Sequence, residues 1–162
     1  MSINDRYHRQ RIVDGIGKDG QEAIENSSVA IVGVGALGCM SASMLARAGV
    51  GHITLIDRDI VEGTNLQRQI LFDEEDAASH TPKVIAAATR LDAINSSIKI
   101  TAHVEDLTAL NVSRLLDEAD VIVDGLDNFQ TRYVLNDFAV QTQKPYMFAG
   151  VIAAEGSVFL RV

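Results

Sequence analysis

The chain has 162 residues, 47% of them apolar, and a formal net charge of −8. These totals fit one folded domain with its own core, and the acidic balance excludes the overall basic field of a nucleic-acid-binding protein. The single cysteine, Cys39, excludes an intrachain disulfide and a cysteine zinc site. Residues 1–11 lack the apolar core of a signal peptide, so a reduced, cytoplasmic setting is expected.

Strand and helix patterns alternate along the chain. Residues 4–28 are polar with glycine breaks and predict an N-terminal helical arm (1–28), which leaves a nucleotide-binding domain over 29–162. Strands are predicted at 29–34, 52–57, 98–104, 120–126, 145–150 and 157–162, and helices at 37–48, 82–94 (opened by Pro82), 108–118 (capped by Thr108) and 128–142 (capped by Asn128). This alternation predicts an α/β, Rossmann-like, mostly parallel sheet with helices on both faces. The last strand runs to the final residue, so a domain truncated at its C-terminus is expected.

An uncharged segment, residues 29–46, has enough apolar character to raise the possibility of a membrane span. Three glycines and two serines interrupt it. A strand, a tight turn and a helix explain that pattern better, and no membrane partner is expected.

The turn in that segment reads GVGALG (33–38) and matches G-x-G-x-x-G between a strand and a helix. Glycines at 33, 35 and 38 allow phosphate to approach the backbone, where the first N–H groups of the helix face the anion. Asp57 follows Gly38 by 19 residues, at the end of the next strand, where an acid hydrogen-bonds ribose hydroxyls. Tight strand–helix packing without a ligand is the alternative, and this motif alone does not separate NAD from ATP.

Basic and polar residues follow on the same side of the predicted sheet. Asn65 and Arg68 lie in the loop after the second strand, and Lys83 lies in the first turn of a helix. In an open α/β sheet, ligands bind beyond the carboxyl ends of the strands. A phosphate would explain these cations, and solvated surface charges are the alternative. Gln67 and Gln69 are less informative, and solvated side chains are the alternative for them too.

Two acids lie near the end of the fourth strand, in VDGLDN (123–128). An aspartate beside a polyphosphate is a natural Mg²⁺ ligand. For Asp127 the alternative is a helix cap, and for Asp124 it is a paired acid within the strand. The whole set of residues suits a triphosphate with magnesium, which a hydride-transfer site does not require.

Five motifs recur in the order of a known family: RYHRQ (6–10), GVGALG, LIDRDIVEGTNLQRQ (55–69), TPKV (81–84) and VDGLDN. The chain resembles the ThiF/MoeB/HesA family, whose adenylation fold is shared with ubiquitin-activating enzymes. The resemblance implies ATP- and Mg²⁺-dependent activation of the C-terminal carboxylate of a small ubiquitin-like protein, often ending in Gly-Gly. The products would be an acyl-adenylate and pyrophosphate.

The same resemblance implies the roles of individual residues. Asp57 would bind ribose, Asp127 would bind Mg²⁺, and Arg9 would reach the site of the other subunit of a homodimer. The implied catalytic residues are Arg9, Arg68, Lys83 and Asp127. The implied nucleotide-binding residues are Gly33, Gly35, Ala36 (where many members have glycine), Gly38, Asp57, Asp59, Asn65, Gln67, Arg68, Lys83, Asp127 and Asn128.

The chain departs from the family at its end, where many members continue into paired CxxC zinc motifs. No zinc site is expected within this chain, Cys39 reads as a core residue, and the four histidines show no ligand spacing. Two other readings stay open. An NAD-dependent oxidoreductase explains the glycines and Asp57 but leaves Arg68, Lys83 and Asp127 without a role, and a non-catalytic module would only dimerise or dock a partner. Thiamine, molybdopterin and other sulfur-transfer pathways use near-identical motifs.

Overall fold

A computed structural model describes residues 6–161; residues 1–5 of the predicted arm and residue 162 of the predicted last strand lie outside them. The strands are β1 Ser28–Val32, β2 His52–Ile56, β3 Lys99–His103, β4 Val121–Asp124, β5 Tyr146–Ile152 and β6 Glu155–Arg161. The helices are α1 His8–Arg11, α2 Gly17–Glu25, α3 Ala36–Ala48, α4 Glu74–Ala78, α5 Lys83–Ile94, α6 Val112–Leu116 and α7 Phe129–Thr142, with a short 3-10 helix at Gly63–Asn65.

The six strands form one sheet in the order β3-β2-β1-β4-β5-β6. Strands β1 to β5 pair in parallel, and β6 returns antiparallel to β5 as a hairpin. Strand order reverses at β1, which lies between β2 and β4. A crevice at the carboxyl ends of β1 and β4 is therefore the expected ligand position. The predicted α/β, Rossmann-like class is confirmed.

Apolar side chains of alternate residues in β1 enter two separate cores. Val29 and Ile31 pack with α3 and α5 on one face, whereas Ala30 and Val32 pack with α6 and α7 on the other. A parallel strand covered on both faces is apolar throughout, as this one is. The helices thus lie on both faces, as predicted.

The N-terminal arm packs on its own chain, against the C-terminal end of α3. The Nε2 of Gln10 and the Nε2 of the fully buried Gln21 both donate to the Ala48 carbonyl, at 3.0 and 3.2 Å. Asn95, after α5, donates to the Tyr7 hydroxyl at 2.8 Å. The arm is therefore held where the strands begin, away from their carboxyl ends.

Two local predictions need correction, and one helix was not predicted. Helix α6 begins at Val112, and Thr108 does not cap it; instead the Asn111 carboxamide accepts from the Thr108 N–H at 2.7 Å, which stabilises a turn before the helix. Pro82 is the residue before α5 and not its first helical residue. Helix α4, which was not predicted, is capped by Asp73 through the N–H groups of the two residues after Glu74.

The uncharged segment 29–46 folds as most of β1, the glycine turn and most of α3. Within residues 6–161, none of the helices has the length and apolar character needed to cross a membrane.

Candidate functional site

The predicted site residues, except Arg9, lie near the carboxyl ends of the strands. The glycine turn follows β1, Asp57 follows β2, and residues 125–128 follow β4. The adjacent order of these strands brings the three loops together, because parallel strands end at the same edge. The structure thus groups residues that are far apart in sequence.

The three glycines of the turn have different roles. Gly33 has φ +87°, and a Cβ there would lie 2.8 Å from the Gly125 carbonyl carbon; a Cβ at Gly38 would overlap the Gly33 carbonyl. Tight packing therefore accounts for Gly33 and Gly38. A Cβ at Gly35 would meet no atom closer than 4.0 Å, so packing does not explain this glycine. No side chain caps the N-terminus of α3 at Gly35, which leaves its first N–H groups for an anion.

Asp57 fixes the glycine turn through its carboxylate. One oxygen accepts from the Val34 N–H at 2.7 Å and the other from the Asp59 N–H at 2.8 Å. Burial raises the pKa of Asp57, and these two bonds and the charge of Lys83 lower it less. Each oxygen keeps a second lone pair, so the half-buried carboxylate can still accept from hydroxyl groups.

Lys83 is a buried cation, which excludes the alternative of a solvated surface lysine. It is 8% exposed, and its Nζ lies 3.0 Å from Asp59 Oδ2. Its backbone N–H donates to the Asp59 carbonyl at 2.9 Å, so the two residues are held together twice. Asp59 itself is exposed and available for exchange of partners.

The loop after β2 alternates between buried and exposed side chains. Asn65 is buried and accepts from the Glu62 N–H at 3.0 Å, a bond that shapes the 3-10 helix. Arg68 is exposed and donates only to the Thr64 carbonyl among the described residues. Gln67 is exposed, whereas Gln69 is 3% exposed with its Oε1 unsatisfied, so the solvated reading fits Gln67 but is wrong for Gln69.

Asp127 and Asn128 differ in how their side chains are used. Asn128 Oδ1 accepts from the Thr131 N–H at 2.9 Å and caps α7, as predicted. Asp127 is exposed, and no described residue hydrogen-bonds its carboxylate. The helix-cap alternative for Asp127 is therefore wrong, and its charge is free for a ligand.

Asp124 belongs to a buried cluster that sequence reasoning did not find. Its carboxylate has no exposed surface and accepts from Arg132 Nε at 3.0 Å and from the Tyr146 hydroxyl at 2.6 Å. The alternative of a paired in-strand acid is correct for this residue. Burial, and then the bond to Asp124, raises the pKa of Tyr146. Neither partner was predicted from the sequence, since Arg132 lies in the following helix and Tyr146 lies on another strand.

Cys39 and Arg9 contribute no side chain to the group of residues at the carboxyl ends of the strands. Cys39 is buried, and burial raises the pKa of its thiol to about 11, which suits the predicted core role. Arg9 is exposed on α1, in the arm held against Ala48. Among residues 6–161, no group of three or more His, Cys, Asp or Glu side chains is arranged to hold a metal ion.

The chain is similar to known proteins over most of its length. The chain is 44% identical over 154 residues to the "Sulfur carrier protein ThiS adenylyltransferase" of Bacillus subtilis, covering 95% of this chain and 46% of that protein. It is 41% identical to the "Sulfur carrier protein adenylyltransferase" of Thermus thermophilus, covering 95% and 56%. The chain thus spans about half the length of these relatives.

Solved structures of Escherichia coli MccB share the fold. The complex with MccA-N7isoASN superposes with a TM-score of 0.88 at 29% identity, covering all of this chain and 48% of MccB. The complex with ATP gives a TM-score of 0.81 at 30% identity, covering 93% and 45%. Residues 7–162 match the model of the ThiF family, and the chain belongs to that family.

Proposed function

We propose that the chain is the nucleotide-binding part of an ATP-dependent adenylyltransferase that activates the C-terminal carboxylate of a small ubiquitin-like sulfur-carrier protein. The observation that carries the proposal is the buried Lys83, paired with Asp59 beside the ribose acid Asp57. Hydride transfer does not require a buried cation at this position, whereas a phosphate chain would be neutralised by one. The names of the Bacillus and Thermus relatives support the same reaction class.

The glycine turn fits the nucleotide part of the substrate. Gly35 leaves open space in front of an uncapped helix of 13 residues, where backbone N–H groups can meet phosphate oxygens. Asp57 has free lone pairs for the ribose hydroxyls. The E. coli MccB solved with ATP supports this assignment, since it shares the fold.

Asp127 fits a Mg²⁺ ion that is bound together with phosphates. Mg²⁺ is usually held by one or two carboxylates plus substrate phosphates, and it keeps several waters. One free carboxylate is therefore enough, and a cage of protein ligands is not required. When bound, the ion would neutralise phosphate charge at this edge of the sheet.

The chemistry needs placement and charge more than proton transfer. A carboxylate is already ionised at neutral pH, so its oxygen can attack the α-phosphorus without a general base. The bond from that phosphorus to the bridging oxygen breaks, and pyrophosphate leaves with the electron pair. Lys83 and Arg68 would stabilise the charge on the phosphates, and the burial of Lys83 strengthens its interaction. Asn65 would keep the Arg68 loop in shape.

Arg9 would act on the site of a second subunit in a homodimer. The arm holds Arg9 near the C-terminal end of α3, whereas the glycine turn lies at its N-terminal end. Thirteen helical residues separate the two ends by about 20 Å, which no arginine side chain spans. This distance supports action in trans, which the family resemblance implies.

The test is pyrophosphate exchange together with nucleotide binding. With a ubiquitin-like protein ending in Gly-Gly, the protein is expected to exchange labelled pyrophosphate into ATP, and removal of the terminal glycines abolishes exchange. Calorimetry is expected to give much tighter binding of ATP with Mg²⁺ than of NADH. Tighter binding of NADH would refute the adenylation reaction and favour the oxidoreductase.

A further inference from the structure

The loop that carries Asp127 is held by side chains on both of its ends. It consists of residues 125–128, between the last residue of β4 and the first residue of α7. On the far side of Asp127, the Asn128 side chain is fixed by its cap on α7. On the near side, the Leu126 N–H donates to Asp124 Oδ1 at 2.8 Å.

Arg132 binds the backbone carbonyl of Leu126. Its Nε donates to Asp124 Oδ2 at 3.0 Å, and its Nη2 donates to the Leu126 carbonyl at 2.5 Å. The same Nη2 reaches the Ala149 carbonyl in β5 at 2.8 Å. One guanidinium thus joins the end of β4, the loop, α7 and β5, a geometry that depends on its planar fork.

We propose that the Asp124–Arg132 pair is a positioning device, which fixes the backbone of Leu126 so that Asp127 presents its carboxylate at one place. Asp127 makes no side-chain hydrogen bond of its own among the described residues, so its direction is set by the backbone on either side. The assignment of Asp127 as a metal ligand rests on the proposed function. The role of the Asp124–Arg132 pair in holding the loop, which we call the clamp, does not depend on that function.

A purely stabilising role explains the pair less well. Replacing a buried ion pair with apolar residues of similar volume is often neutral or stabilising, so such a pair is weak evidence for stability. Three hydrogen bonds of this pair go to backbone groups: the N–H and the carbonyl of Leu126, and the carbonyl of Ala149. Tyr146 adds a donor at 2.6 Å to the same Asp124 oxygen that meets Arg132, which fixes that oxygen from the β5 side.

The first experiment measures the clamp without nucleotide, by amide hydrogen exchange. Arg132→Lys keeps a positive charge for Asp124, but one ammonium cannot reproduce the fork. We expect the hydrogen-bonded amides of Gly125 and Leu126 to exchange about ten-fold faster, with a smaller increase for Tyr146→Phe, which removes one bond and keeps the ring. Equal protection in Arg132→Lys and wild type overturns the proposal.

The matched control is Lys144→Met. Lys144 also donates to two backbone carbonyls, those of Asp117 and Ala119, but at the opposite edge of the sheet. Its loss tests whether any missing cation–carbonyl contact loosens residues 125–128. If exchange in those residues rises equally in the two variants, the effect is global and the proposal is wrong.

The second experiment is a double-mutant cycle on the Mg²⁺ concentration for half-maximal ATP binding. Outer residues that orient a metal ligand typically change metal affinity by about ten-fold or more. Arg132→Lys is therefore expected to raise the Mg²⁺ midpoint about ten-fold in the wild-type background and less than two-fold with Asp127→Asn. Lys144→Met leaves the midpoint unchanged.

The same factor in both backgrounds would show that Arg132 does not act through Asp127, and it overturns the positioning role. Wild-type ATP binding that does not depend on Mg²⁺ refutes the metal part of the proposed function instead. In that case hydrogen exchange still decides whether the pair clamps the loop.

Discussion

The Nζ of Lys83 lies 3.0 Å from Oδ2 of Asp59, with the lysine buried and the aspartate exposed. The pair keeps a cation at the carboxyl edge of the sheet. A buried ammonium group needs a partner, because burying an unpaired charge costs free energy. Asp59 gives the buried ammonium group an anionic partner, and in the proposed reaction a phosphate of ATP would take its place.

Lys83→Met is expected to lower the rate of pyrophosphate exchange by about 100-fold or more, the usual effect of removing one donor that stabilises transition-state charge. The measurement is exchange at saturating ATP. Lys99→Met is the control, because Lys99 is exposed at the amino end of β3, at the opposite edge of the sheet. Equal rates for Lys83→Met and wild type would remove Lys83 from the reaction.

Asp57 predicts a pH dependence of nucleotide binding. Burial raises its pKa above the ordinary value of 3.8, so its carboxylate takes up a proton at a higher pH than an exposed aspartate does. The raised pKa means that ionisation of Asp57 opposes folding, and its contribution to stability is lost as pH rises through that pKa. Nucleotide binding is expected to have the opposite pH dependence, since the ionised form accepts from the Val34 N–H and would also accept from ribose hydroxyls.

Affinity for ATP should therefore fall as the pH is lowered from neutral through the pKa of Asp57. The measurement is the ATP dissociation constant of wild type and of Asp57→Asn across that range. Titration of the phosphates is common to both proteins, so only the wild type shows the additional step. A step that persists in Asp57→Asn belongs to another group.

Asp127 and Asn128 allow metal binding and helix capping to be separated. Asp127→Asn should change the free energy of unfolding by no more than about 0.5 kcal/mol, because the side chain is exposed and is not the cap. Asn128→Ala removes the cap of α7 and should cost about 1 kcal/mol. Chemical denaturation measures both.

The two variants should rank in the opposite order when their pyrophosphate exchange is compared. Asp127→Asn is expected to lose Mg²⁺-dependent pyrophosphate exchange, while Asn128→Ala affects exchange less than it affects stability. Normal exchange by a folded Asp127→Asn protein would exclude a metal-binding role for this carboxylate.

Gln69 carries an unsatisfied buried oxygen, for which no other role is proposed. An unpaired buried polar atom costs about 1–3 kcal/mol, so Gln69→Met, which keeps the length of the side chain, should raise the free energy of unfolding by about 1 kcal/mol. Gln67→Met is the control, since Gln67 is exposed in the same loop. A large loss of stability in Gln69→Met would show that the oxygen is satisfied in solution.

The sequence predicted elements whose apolar pattern reflects burial. Residues 29–34 have the apolar run of a strand covered on both faces, and β1 is that strand. The prediction from sequence was wrong where two local hydrogen bonds compete. Thr108 is a residue type that often caps helices. Here the Asn111 carboxamide accepts from the Thr108 N–H, and α6 begins only at Val112.

The site was predictable where backbone geometry requires a residue type, and less so where tertiary contacts decide. Gly33 and Asp57 are such positions, because the turn and the strand end fix them. The burial of Lys83 was not predictable, since a lysine in a first helical turn is ordinarily solvated. The link between Asp124 and Tyr146 depends on the pairing of β4 with β5, which no local pattern reports.

Arg9 gives the last prediction, which concerns assembly. Among residues 6–161 the side chain of Arg9 has neither an ion pair nor a hydrogen bond, and α1 holds it at the end of α3 away from the glycine turn. A guanidinium supplied by a second subunit would neutralise phosphate only in the dimer, as arginine fingers do. Arg9→Ala and Asp127→Ala should each be nearly inactive in pyrophosphate exchange. A mixture with exchanged subunits should regain activity, because each heterodimer has one site with both residues intact. Exchange of subunits is followed by energy transfer between labelled chains. If the subunits mix and the mixture stays inactive, Arg9 does not act in trans, and the role assigned to the dimer is wrong.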